Sequence, residues 1–308
     1  MNSDDLECFI HVASTGSISR SALALGREQS TVSRHIGRLE AESRAKLFHR
    51  SGRGVILTDA GRQLLESAGA VMASLAQTRR VMHSLSARGP TDFVVAAQPT
   101  IARTLFPPLS HSLTATYPSM HLRLVEGLGA GILDWLAAGE IDLAVLYRPV
   151  NGGSLQVEKV AREQVRLVVP ASYRNIGDVF CVRNLGELPL ILPSHPNGLR
   201  LLAQSLASQA GFSLNIVLEC DGSTSLTKRL VEQNCGCTIL PLASVSDGVA
   251  MGKLRTAVLT DPSVEREVVI ATAQNRSRPS DFSQIMRTLR RIIAETVARG
   301  DWPGAELV

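Results

Sequence analysis

Apolar residues recur at helical spacing along the first forty positions, in three short groups. Leu6, Phe9, Ile10 and Ala13 fall at i, i+3, i+4 and i+7 and predict a first helix that ends near Gly16. Ser17 is placed to cap a second helix, with Ile18, Ala22 and Leu25 facing inward and Gly26 as its stop. In REQSTVSRHIGRLE, residues 27–40, Val32, Ile36 and Leu39 give a third helix one buried face, while Gln29, Ser30, Ser33 and Arg34 point outward near its start. LFHR and VILT then flank Ser51-Gly52-Arg53-Gly54, whose glycines suit positive φ, and predict a hairpin.

Thr58 is placed to cap a long pattern from Asp59 to about Arg88, where Gly89-Pro90 stops it. Leu64, Ala68, Val71, Leu75, Thr78, Met82 and Leu85 alternate steps of four and three, the spacing of a coiled-coil seam. Some thirty residues make a rod of roughly 45 Å, too long for the internal helix of a small domain. The pattern predicts pairing with a second copy; Thr78 at a seam position keeps open the alternative of a connector packed on its own chain.

From Thr91 the period changes. FVVAA (93–97), LRLVEG (122–127), LAVLY (143–147), VRLVVP (165–170), LPLILP (188–193), NIVLEC (215–220), CTIL (237–240) and REVVIATA (266–273) read as strands, several of them continuously apolar, as parallel strands buried on both faces should be. Helical stretches fall between them near 100–116, 129–139, 198–211, 223–235 and 280–298. This predicts an α/β region of two lobes, with two strands crossing between them near Glu163 and Glu265 and a ligand in the cleft.

With 308 residues the chain has room for two or three domains. No signal-peptide pattern opens it and no apolar run approaches the ~18 residues of a membrane span, so a cytoplasmic protein without a membrane partner is expected. Five scattered cysteines give no disulfide framework, and Cys235-Gly-Cys237 is too tightly spaced for a zinc pair; no metal and no cofactor are expected. The net charge of +4 becomes informative once located. Residues 27–53 carry seven Lys and Arg against three Glu, so this segment holds the whole excess and points to a polyanion partner.

A helix whose first turns are polar while the remainder packs on a short preceding helix is what a helix-turn-helix needs to enter the major groove. Gln29 suits adenine edges, Arg34 guanine edges, and Ser30, Thr31 and Ser33 reach phosphates or bases. Arg53 at the hairpin tip is the wing residue for the minor groove or backbone. Residues 7–65, ECFIHVASTGSISRSALALGREQSTVSRHIGRLEAESRAKLFHRSGRGVILTDAGRQLL, resemble the winged helix-turn-helix of the LysR-type transcriptional regulators. The resemblance continues through PTIARTLFPPL, YPSMHLRLVEG, LAAGEIDLAVLY and LVEQNCGCTILP, and LILPSHPNGLRLL (190–202) resembles the subgroup around the nitrogen assimilation control regulator.

The resemblance implies an N-terminal winged helix-turn-helix over 1–58, a linker and dimerisation helix over 59–89, and a two-lobed α/β effector domain over 90–308, similar to periplasmic solute-binding proteins. Lobe I is expected at about 91–163 and 266–300, lobe II at about 164–265. It further implies operator DNA as partner, a dimer or dimer of dimers, and room for contact with RNA polymerase. Glu28, Ser30 and Ser43-Arg44 depart from the family pattern; Arg44 stands where a glycine usually turns the chain, and is unfavourable if that turn needs positive φ. Gly129 stands where relatives often carry a serine or threonine.

In the cleft, Gln98 and Thr100, Ser194, His195 and Asn197, and Ser223 and Thr224 all gather at strand-to-helix turns, with Gly129 at another. Helix starts carry free N–H groups and partial positive charge, so the expected effector is a small anion, most simply a carboxylate. The alternative for each residue is capping of its own helix. Two other functions stay open: redox sensing through Cys181 and Cys220, and an α/β enzyme. The chain has no GxSxG, GxGxxG or P-loop and no metal-spaced histidines, so no catalytic residue is assigned.

Overall fold

Side-chain capping delimits the first helices. Asn2 and Asp5 cap α1 (Ser3–Thr15) reciprocally, each side chain accepting the other's backbone N–H at 2.9 Å, and Gly16 ends it in the left-handed region. Ser17 caps α2 (Ile18–Ala24), and α3 runs Gln29–Ser43 with Val32, His35, Ile36 and Leu39 buried. Arg44 then takes φ 51°, ψ 27°, so the turn does need the conformation that a glycine adopts without cost.

Two antiparallel strands follow, β1 (Phe48–Ser51) and β2 (Gly54–Leu57), the expected hairpin, with His49 opposite Ile56. Val55 N–H donates to the Gly16 carbonyl at 2.9 Å, and a Cβ on Gly54 would fall 2.2 Å from that oxygen. The glycine at 54 therefore lets the hairpin rest on the α1–α2 turn. Thr58 Oγ1 accepts the Gly61 N–H at 2.9 Å and opens α4 (Asp59–Ser84). Phe9, Val12, Val32, Leu39 and Ala68 share one core with Leu6 and Leu47.

The computed structural model describes residues 1–51, 54–84, 90–149, 155–221, 223–274 and 278–308. Arg53 and Leu85 lie outside them, as does the proposed helix stop at Gly89. The chain divides into two compact units, Met1–Ser86 and Ala87–Val308.

The second unit contains, in order, β3 (Asp92–Ala97), α5 (Pro99–Thr116), β4 (His121–Glu126), α6 (Gly129–Ala138), β5 (Leu143–Tyr147), β6 (Leu155–Pro170), β7 (Val179–Cys181), a 3₁₀ turn (Val182–Glu187) and β8 (Leu190–Leu192). Then come α7 (Gly198–Ala210), β9 (Ile216–Glu219), α8 (Thr224–Glu232), β10 (Thr238–Pro241), α9 (Leu242–Ala250), β11 (Leu254–Thr260), β12 (Glu265–Ala273), α10 (Phe282–Ala298) and β13 (Ala305–Leu307). The main sheet has the order β4-β3-β5-β12-β6-β11-β7, with β10 and β13 also on β6, while β8 and β9 form a separate parallel pair.

The strands are not all parallel, as the apolar runs suggested. β3 is parallel to β4 and β5, but β12 is antiparallel to β5 and β6, because the chain enters it from the other lobe. Buried apolar runs report burial on two faces and do not report direction.

β6 joins the two lobes. Its residues 155–164 pair with β12, and 165–170 pair with β10 and β11. One lobe is built on Phe93, Leu105, Leu109, Leu143, Ile270, Leu289 and Ile293, the other on Val165, Leu167, Leu190, Leu206, Ile239 and Leu259. Val264 still packs in the second core, and Glu265 already pairs with Gln164 in the first sheet, so the return crossing falls there.

Candidate nucleic-acid interface and ligand cleft

α3 is held from behind by a buried carboxylate. Asp5, on α1 and fully buried, lies 2.7 Å from His35 Nδ1 and 3.2 Å from Arg38 Nη1, both on α3. Burial alone would raise its pKa; the His35 hydrogen bond, the Asn2 N–H and the Arg38 charge outweigh that and hold it below 3.8. With its inner face clamped, the helix presents Gln29, Ser30, Ser33 and Arg34 exposed and Thr31 half-buried, as the spacing predicted. Glu28 makes no side-chain cap bond and instead accepts the Ser30 hydroxyl at 3.2 Å; Gln29 accepts from Ser19 at 3.1 Å.

The local positive charge is smaller than the residue count. Arg27 is paired with Asp4 and Glu7, Arg38 with Asp5 and Lys46 with Glu40. The Arg34 and Arg44 side chains make no hydrogen bond or ion pair among the described residues, which leaves Arg34 as the open cation on the outward face of α3.

The expected seam on α4 needs correction at its start. Ala68 is buried in the core of its own unit and Leu64 packs against that core, so these side chains are covered within one chain. The helical period that marks a seam equally marks the face by which α4 joins α1. Val71 is half exposed and Leu75 is partly so; the Met82 side chain and Leu85 lie outside what is described.

A cavity of about 320 Å³ opens in the second unit between the ends of β3, β4 and β9 and the starts of α5, α7 and α8. Gln98, Thr100, Asn197, Ser223 and Thr224 line it, five residues brought together from three separate turns. Three already have backbone partners: Asn197 caps α7, Ser223 caps α8, and Gln98 Oε1 accepts the N–H of Tyr147 on β5 at 2.8 Å. The Thr224 hydroxyl has no hydrogen bond among the described residues.

Gly129, Ser194 and His195 lie off the lining. Ser194 gives its N–H and hydroxyl to Asp221 at 2.8 and 2.7 Å, His195 is exposed beside Gln204 at 2.8 Å, and a Cβ on Gly129 would meet the Gln98 amide at 3.4 Å.

The one cation that the described residues place on the cleft lining was not foreseen. Arg266, near the start of β12, holds its guanidinium 3.6 Å over the Tyr147 ring, and that guanidinium makes no hydrogen bond among the described residues. Behind it, fully buried Glu163 accepts from Tyr147 Oη and, at 2.9 Å, from Trp302 Nε1. Burial raises the Glu163 carboxyl above its ordinary 4.5, against those two bonds and the Arg266 charge. Burial likewise lowers the Arg266 pKa, opposed by Tyr147 and Glu163. Gly198 faces this group: a Cβ there would lie 2.8 Å from an Arg266 Nη atom. A charged residue just before an apolar strand reads as solvent-facing, and only a return crossing at that point turns it inward.

Cys181 closes β7 and Cys220 follows β9, in different sheets, and all five cysteines are free. Burial pushes the Cys237 thiol up to about 11, away from thiolate chemistry. Among the described residues no three His, Cys, Asp or Glu side chains gather as a metal site, and no helix is long and apolar enough to cross a membrane.

Residues 3–62 match the family model for the bacterial regulatory helix-turn-helix protein of the lysR family, and residues 91–294 match that for the LysR substrate binding domain. The HTH-type transcriptional regulator BbuR of Bordetella bronchiseptica is 30% identical, covering 99% of this chain and 94% of its own. A probable hydrogen peroxide-inducible genes activator of Streptomyces viridosporus is 26% identical, covering 96% and 95%. Among solved structures, full-length CbnR complexed with its target DNA aligns with TM-score 0.70 at 19% identity, covering 95% of this chain and 100% of that one.

Proposed function

The chain belongs to the LysR family of bacterial transcriptional regulators, and from that premise we propose that it binds an operator through α3 and the hairpin and answers to a small organic acid in the cleft of its second unit. It is a DNA-binding regulator with an effector-binding domain, not an enzyme. Arg34 and Gln29 read base edges, Ser30, Thr31 and Ser33 contact phosphates or bases, and Arg53 follows the backbone or minor groove. Ser30 first gives up its bond to Glu28.

Dimers form along α4 beyond Val71, through Leu75, Met82 and Leu85, and pair into dimers of dimers. Such an assembly acts in the cytoplasm and is placed to touch RNA polymerase. Within the family we place the chain near the nitrogen assimilation control subgroup, on the run LILPSHPNGLRLL across β8 and the start of α7.

The observation that carries the anionic effector is Arg266, a cation held by its face with no hydrogen bond, at the wall of a cavity rimmed by helix starts. Thr100 and Thr224 are the hydroxyl donors beside it, and Asn197 supplies selectivity. Ser194 acts indirectly by fixing Asp221, while His195 and Gly129 border the rim. A thermal-shift screen of small organic acids on wild type, Arg266→Gln and Thr100→Val tests this. Acids should stabilise wild type, lose their effect in Arg266→Gln and weaken in Thr100→Val; stabilisation by neutral or cationic compounds alone would overturn it.

A further inference from the structure

Two carboxylates line the same cleft, and they do not suit a simple anion. Glu126, at the end of β4, is exposed, and its carboxylate has no hydrogen bond or ion pair among the described residues. Asp221 borders the cavity from the other lobe. Its two oxygens accept the Ser194 N–H and hydroxyl, and those bonds hold its carboxyl below the ordinary value, so it is ionised at neutral pH.

The wall therefore presents one cation, Arg266, and two carboxylates. A plain acid seated on Arg266 places no positive charge of its own opposite either carboxylate. Leu128, Leu199 and Leu240 add an apolar wall that can take a hydrocarbon side chain.

We propose that the effector is a zwitterion of the amino-acid type. Its carboxylate lies on Arg266 and the start of α5, its ammonium group is received by Glu126 and Asp221, and its side chain meets the three leucines. This inference rests on the anionic-effector reading above and narrows it. Because the two carboxylates stand on different lobes, a bridging ammonium ties the lobes together, which a carboxylate on Arg266 alone does not.

The test uses matched ligands on the full-length protein: α-amino acids, the 2-hydroxy acids with the same side chains and the corresponding primary amines, followed by calorimetric titration. At least one amino acid should bind about tenfold or more tighter than its 2-hydroxy acid, since an unpaired charge on either side penalises the wrong ligand. Glu126→Gln, whose side chain has no partner to lose, should narrow that gap by weakening the amino acid and improving the hydroxy acid. Glu126→Gln combined with Asp221→Asn should close it. Equal binding of amino and hydroxy acids to wild type overturns the zwitterion and leaves the anionic reading standing. Binding of amines alone overturns both, and a panel in which no amino acid binds overturns the zwitterion.

Discussion

Among the described residues each unit buries one carboxylate completely, Asp5 in the first and Glu163 in the second, and the two shift in opposite directions. Asp5 meets a histidine, an arginine and a backbone N–H, and stays below its ordinary pKa. Glu163 meets the neutral donors of Tyr147 and Trp302, with Arg266 as a nearby charge, and is pushed up. Both are shut off from solvent, but Asp5 lies near the surface of its unit and Glu163 deep in its lobe. The heavier desolvation of Glu163 acts together with the character of the partners to set the sign. The difference follows the tasks of the two places. Asp5 fixes one orientation of α3, whereas Glu163 lies where two lobes join and leaves Arg266 without a direct bond.

The comparison breaks most visibly at Asp5. Asp5→Asn neutralises one side of a buried pair and should cost about 3–5 kcal/mol in chemical denaturation, with loss of operator binding. A cost below that of any Glu163 variant would show that the clamp is not ionic.

Trp302→Phe comes next, since it keeps the packing and removes one donor from a buried carboxylate. About 1–3 kcal/mol is expected, with a further rise in the Glu163 pKa read by isotope-edited infrared.

Glu163→Gln should cost under about 1 kcal/mol, because an amide can accept from Trp302 and donate to Tyr147 while removing a buried charge. The pH trends separate the two sites further. For Asp5, whose folded pKa lies below 3.8, the stabilisation is present above 3.8 and is lost as pH falls through the folded value. For Glu163, whose folded pKa lies above 4.5, it is present below 4.5 and is lost as pH rises through the folded value. Denaturation of Asp5→Asn and Glu163→Gln against wild type across this range should give penalties of opposite slope; parallel slopes would remove the contrast.

The smallest effect is Arg44→Gly at the far end of the clamped helix. Relief of the positive φ should raise stability by about 0.5–1 kcal/mol without altering the salt dependence of DNA binding.

The first unit was largely legible in the sequence because its signals are local. Caps at Ser17 and Thr58, the turn at Arg44 and the outward face of α3 each depend on neighbours within a few residues. The ion pairs that reduce its charge were hidden, since Arg27 meets Asp4 and Glu7 across some twenty positions. In the second unit the apolar runs revealed most strands and both crossings. They missed β7, β11, β13 and α9, and the early half of β6, where QVEKVARE mixes charged and apolar residues, starts mostly open to solvent and lacks a continuous apolar run. The cleft was half visible: helix starts announce themselves, but Arg266, Glu163, Tyr147 and Trp302 are joined only by topology. The seam on α4 failed at Ala68 because one period served two kinds of packing.

The strand β13 carries a consequence for synthesis. Ala305–Leu307 pair with Glu163–Ala161, and Trp302 supplies a donor to the buried carboxylate beside them. During translation β6 leaves the ribosome about 140 residues before these partners do, at a few to some twenty residues per second. For those several seconds Glu163 has no indole donor and the edge of β6 that receives β13 stands bare, a template for wrong strand pairing. The nascent chain can settle its first unit early, but its second waits on the arrival of Leu307.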